Sequence, residues 1–239
     1  MLATNSPLSK LPPELRRRDV FLIEGIRYAI GAIDESYNAL VSELRRLSKE
    51  SGDSKNDYYG LFKEVWSIID FGWRLRALFL QFDTAPGNEE DSRKKIDLDF
   101  LDSLKEFRHT FQHLDERIDE AMVDENAYVW GYLSWLHVLS PTSIESCGIA
   151  PGHPRGTVTV INPAGLVVTP PLCHITLETI NRKKEKITIN LSQLVSDIAG
   201  LTKQFENDLN IQFSGNTSES IAQDFIFRVV MSASNQKDS

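Results

Sequence analysis

Cysteine is scarce in this 239-residue chain: only Cys147 and Cys173 occur, and neither belongs to a CxxC pair. That excludes a disulfide framework and a thiol-based zinc knuckle, and fits a cytoplasmic protein with reduced thiols. No apolar run approaches the roughly 20 residues that span a bilayer. Met1 to Lys10 has no apolar stretch of the kind that marks a secretory signal, so neither membrane nor export is expected. Positive charge is also short: 26 Lys and Arg stand against 34 Asp and Glu, a net charge of −8. Proteins that grip long nucleic acids usually carry a basic excess or stripe. Here the basic runs Arg16-Arg17-Arg18, Arg93-Lys94-Lys95 and Arg182-Lys183-Lys184 read as solvated helix ends and turns. A small cationic cleft stays compatible with this balance. The segment Gly148-Ile149-Ala150-Pro151-Gly152 lacks the lysine and following helix of a P-loop, and there is no serine nucleophile elbow and no internal repeat.

Long amphipathic patterns are what the chain does have. After a polar, proline-bearing leader (1–18), Ile23, Ile26, Ile30, Ile33, Tyr37, Leu40, Leu44 and Leu47 alternate by three and four, which predicts a helix over 19–49. Leu61, Val65, Ile68, Gly72, Leu75, Phe79 and Phe82 predict a second over 57–82. A third is expected over 92–122, burying Leu101, Leu104, Phe107, Phe111, Leu114 and Ile118. Between 127 and 190 the composition turns aromatic and β-branched, broken by proline and glycine. Tyr128, Trp130 and Tyr132 alternate as on a strand, 156–161 and 166–168 read as short strands, and Ile175, Leu177, Ile187 and Ile189 flank a hairpin turn at 181–184. The last long helix is expected over 191–209, with Asn190 and Gln193 in capping-box positions. Residues 214–239 read as a mobile tail, with an apolar stretch at 225–231. The expected fold is therefore mainly α: a helical bundle over 19–213 with a small antiparallel β-sheet (127–190) inserted before the last long helix.

Chemistry concentrates on the third helix, where Phe107-Arg108-His109-Thr110-Phe111-Gln112-His113 sets an arginine and two histidines into an amphipathic pattern. With the stripe centred near Phe107, Phe111 and Leu114, Arg108 falls on one flank, roughly 80° away. His109 points away from the core, and His113 lies on the other flank, one turn beyond His109. Gln112 and Asp115 neighbour Arg108, while Glu106 and Arg117 neighbour His113. In a purely structural reading, Arg108 and His113 form ion pairs with Asp115, Glu106 or backbone groups. In a metal reading, the i, i+4 pair His109 and His113 chelates zinc with help from His137, Cys147, Cys173 or His174. The glutamate of a zinc-protease helix is missing, since Thr110 follows His109 and Gln112 precedes His113. The tryptophans Trp66, Trp73, Trp130 and Trp135 read as core, with Trp130 and Trp135 the candidates for base stacking.

The run Arg108-His109-Thr110-Phe111-Gln112-His113 resembles the HEPN family, whose hallmark is arginine, a polar residue, three variable residues and histidine. Leu114-Asp115-Glu116-Arg117-Ile118-Asp119, and on the preceding helix Trp66-Ser67-Ile68-Ile69-Asp70 with Arg74-Leu75-Arg76, are similar to an uncharacterised bacterial subset. The resemblance covers roughly 19–120 and the terminal helix. It implies a HEPN-like bundle, a homodimer with facing motif helices, and a metal-independent endoribonuclease site shared across the dimer axis, with no cofactor. Arg108 would hold the scissile phosphate, His113 would serve as general base or acid for attack by the 2′-hydroxyl of an RNA substrate, and His109 would orient its partners. Guanidinium is a forked phosphate donor and imidazole titrates near neutrality, so the residue types suit the chemistry. A toxin–antitoxin or antiphage setting, with an antitoxin-like protein partner, follows from the same analogy. The alternative function is a non-catalytic nucleotide- or protein-binding scaffold.

Overall fold

The computed structural model describes residues 1–3, 5–49, 58–83, 96–121, 128–140, 143–151 and 172–213. Three long helices carry the bundle: α1 (Arg17–Leu47), α2 (Tyr59–Asp83) and α5 (Leu191–Gln212). The three–four spacing of α1 does what it predicts, since Ile23, Ile26, Ile30, Ile33, Leu40 and Leu44 are all buried. Helices α1 and α2 run antiparallel, because Arg18 reaches the carbonyl of Gln81 while Tyr28 meets Phe71 edge-on. Helix α5 closes the bundle through Phe205, which packs edge-on against Phe79 and Phe82. Its N-terminus is capped by Asn190, whose side chain accepts from the Gln193 amide at 3.0 Å. Only half of the expected box forms, because the Gln193 side chain turns to Asp197 at 2.8 Å. No helix among the described residues is long and apolar enough to cross a membrane.

The sheet precedes α5, as expected, and is antiparallel with strand order β2-β1-β3-β4: β1 (Tyr132–Ser140), β2 (Ser143–Ile149), β3 (Leu172–Ile180) and β4 (Lys186–Asn190). Leu133, Trp135, Ile175, Leu177 and Ile189 join the helices in one core, so the insertion is a layer of the same hydrophobic unit. The β3–β4 hairpin turns at Asn181, whose carbonyl oxygen of the side chain accepts from the amides of Lys183 (2.9 Å) and Glu185 (3.0 Å). Strand β1 begins later than the Tyr128–Tyr132 alternation suggests: Gly131, at φ 100°, provides the turn into it. Strand β2 had no recognisable pattern, being largely exposed on both faces at the sheet edge. The strands expected at 156–161 and 166–168, and the tail 214–239, lie outside the described residues.

Two expectations need correction. The leader is packed, not loose: Leu8 and Leu11 are fully buried, a 3-10 turn forms at Pro7–Ser9, and the Ala3 amide donates to the buried Glu206 carboxylate at 3.2 Å. The third helix is not continuous over 92–122. Residues 92–95 lie outside the described residues, a 3-10 turn occupies Asp99–Leu101, and two short helices follow, α3 (Leu104–Gln112) and α4 (Leu114–Ala121). They are separated by His113, which leaves helical geometry at φ −120°, ψ 40°, its amide bonded to Thr110 three residues back instead of four. No glycine or proline marks this break, so periodicity alone could not show it.

Candidate functional site between α2 and α3

The site begins with a glycine. A Cβ at Gly72 would lie 2.7 Å from Leu104 Cδ1, so the missing side chain lets α3 settle against α2. Phe107 and Leu104 then enter the core, and Thr110, 1% exposed, donates its hydroxyl to the Ile180 carbonyl at 3.0 Å. That bond ties α3 to the end of β3. It also makes Thr110, not Phe111, the last core residue of the helix. Phe111 is 41% exposed and Ile118 43%, contrary to the expected stripe: Phe111 lies over Trp66 on the flank of α3, and beyond the break at His113 α4 no longer continues the helix.

Arg108 lies a third exposed on the α2-facing flank of α3, and its Nε donates to Asp70 Oδ1 at 2.9 Å. Arg74, one turn along α2, donates to the other oxygen of Asp70 at 2.6 Å. One carboxylate thus joins two guanidinium groups. Burial acts to raise the Asp70 carboxyl, but hydrogen bonds from Arg74 and Arg108, with their charges, outweigh it and hold the group below its usual range. The expected partners Asp115 and Glu106 do not fill this role. Asp70 was visible only as part of the resembling run on the second helix; its i, i+4 spacing to Arg74 was the available signal.

On the other side of α3, His109 and His113 stack with ring centroids 4.6 Å apart and planes 28° from parallel. The expected one-turn stacking therefore forms, although His109 is half-buried and does not point straight outward. The Nδ1 of His113 stands 3.5 Å from Glu116 Oε1, too long for a firm hydrogen bond. A histidine at the end of α3 also suits the negative end of a helix, which is its plainest structural use.

Arg108 and Gln112 open into a cleft of about 380 Å³ between α2 and α3, lined also by Trp66, Phe71 and Phe111; the two histidines do not line it. Trp66 stacks on Phe111 at 4.6 Å and 16°. Trp66 and Trp135 are buried as expected, and Trp130 is exposed. One chain therefore brings Arg108 to a cleft and the histidines to a separate surface. Among the described residues no three His, Cys, Asp or Glu side chains gather as a metal site. Burial, then Glu145, pushes the Cys147 thiol up, so it is a poor nucleophile near neutral pH. Compared with known protein families, curated proteins and solved structures, the chain matches none.

Proposed function

We propose that the chain is a HEPN-like, metal-independent endoribonuclease acting in the cytoplasm as a homodimer, with Arg108 and His113 supplied to each site by different copies. The observation that carries this reading is that one chain holds its two groups apart: Arg108 opens into the α2–α3 cleft, while His109 and His113 stack outside it. A site that needs both groups is then completed by a second copy. In such a site one His113 takes the proton of the 2′-hydroxyl as O2′ attacks the adjacent phosphorus. Arg108 hydrogen-bonds the phosphoryl oxygens as charge develops, and the 5′-oxygen leaves with the proton that His113 has taken up. The products are a 2′,3′-cyclic phosphate and a 5′-hydroxyl. A toxin or antiphage role, with an inhibitory protein partner, extends the same resemblance.

The second reading is a non-catalytic binding scaffold, favoured by the Arg108–Asp70–Arg74 arrangement, in which Arg108 serves to clamp α3 to α2. The two separate on cleavage of single-stranded RNA by the purified chain in the presence of a chelator. The catalytic reading predicts that Arg108→Ala and His113→Ala each lower the rate by about 100-fold or more. Equal rates for wild type and both variants, all folded by circular dichroism, would sink it.

A further inference from the structure

The cleft between α2 and α3 combines a flat aromatic support with a guanidinium and an amide. The buried face is Trp66, 5% exposed, and the ring lying on it is Phe111, 41% exposed. One face of Phe111 is thus backed by a rigid indole while the ring keeps a free surface. Arg108 spends its Nε on Asp70, one of the five donors of a guanidinium, so its terminal nitrogens keep the geometry to receive an anion. Lys63 and Gln112 stand at the same cleft. Lys63 pairs with Glu64 and is also drawn by Glu35, while Arg74 and Arg108 share Asp70, so the charges around the cleft balance and Arg108 is the guanidinium that lines it. The volume of about 380 Å³ sits near the small end of ligand clefts, which suits a single flat ring with its sugar better than a helix laid in a groove.

We infer that this cleft holds one nucleotide of single-stranded RNA, the base stacked on Phe111 and a phosphate on Arg108. The inference rests on the reading of the chain as an RNA-handling protein, and it assigns a base subsite apart from the two histidines. Stacking carries it because an aromatic face receives any base, which makes the subsite tolerant of sequence.

The test is binding of a fluorescent ten-nucleotide single-stranded RNA to the full chain, with AMP as competitor, for wild type, Phe111→Tyr, Phe111→Leu and Ile144→Ala. Phe111→Tyr keeps the aromatic face and should bind within about threefold of wild type, while Phe111→Leu keeps apolar bulk and should weaken binding by about tenfold. Ile144→Ala, exposed on the edge strand β2 and outside the cleft, should bind as wild type does. Leucine binding as well as phenylalanine, or no RNA binding by wild type, overturns the inference. AMP binding as tightly as the RNA overturns the strand assignment in favour of a free nucleotide. Cleavage is scored separately: RNA cut by all Phe111 variants alike contradicts only the base subsite, whereas Phe111-dependent binding without cleavage contradicts only the nuclease reading.

Discussion

Helix α1 and the α3–α4 segment show two ways in which sequence becomes structure. In α1 the apolar residues repeat over the whole helix, and each addition to the stripe reinforces one orientation. In α3–α4 two short helices meet at His113, and their orientation is decided by contacts from elsewhere: Gly72 admits Leu104, Ile180 receives Thr110, and Asp70 holds Arg108. The long stripe produces a core. The short segment produces polar side chains held at an edge, where chemistry has room to occur.

This contrast can be broken by mutation. The largest effect belongs to the bundle core: Phe79→Ala, in a fully buried ring packed against Phe205, should cost about 3–5 kcal/mol in chemical denaturation. Ile118→Ala, which obeys the same periodicity on paper, should change single-chain stability by less than about 0.5 kcal/mol because the residue is exposed. A cost above 2 kcal/mol for Ile118→Ala would mean that the third-helix stripe is core after all. Thr110→Val comes next, at about 1–3 kcal/mol, since it leaves the Ile180 carbonyl buried without its donor.

The smallest effect is a pH dependence. The Asp70 carboxyl is held below its usual range, so its bonds to Arg74 and Arg108 contribute fully above the unfolded value, about pH 4, and are lost as pH falls through the lower folded value. Asp70→Asn should therefore be slightly less stable than wild type at pH 7 and should lose less stability on acidification. The urea midpoints of the two proteins should converge below about pH 4. Parallel curves across that range would remove Asp70 from the account.

The three long helices, the sheet before α5 and the β3–β4 hairpin were legible because each rests on a repeated or local signal: long three–four spacing, an Asn cap and a turn closed by Asn181. The break at His113 was not, since no glycine or proline marks it in the sequence. The buried leader was missed for a related reason. Leu8 and Leu11 sit among prolines without helical spacing, and only the closed bundle shows where they go. Arg108, His109 and His113 were singled out by type and order, and the His109–His113 stack followed from helical geometry. The pairing of Arg108 with Asp70 crosses between helices, and the Trp66–Phe111 stack depends on Phe111 leaving the core; neither has a local signature.

The central claim is that each site draws Arg108 and His113 from different copies. Its most direct measurement is complementation: Arg108→Ala and His113→Ala proteins, each inactive alone, are mixed, allowed to exchange subunits, and assayed on single-stranded RNA. Half of the exchanged dimers are mixed, and each carries one intact composite site of two, so about a quarter of wild-type activity should return. No recovery, with subunit exchange verified by labelled chains, would contradict a shared site.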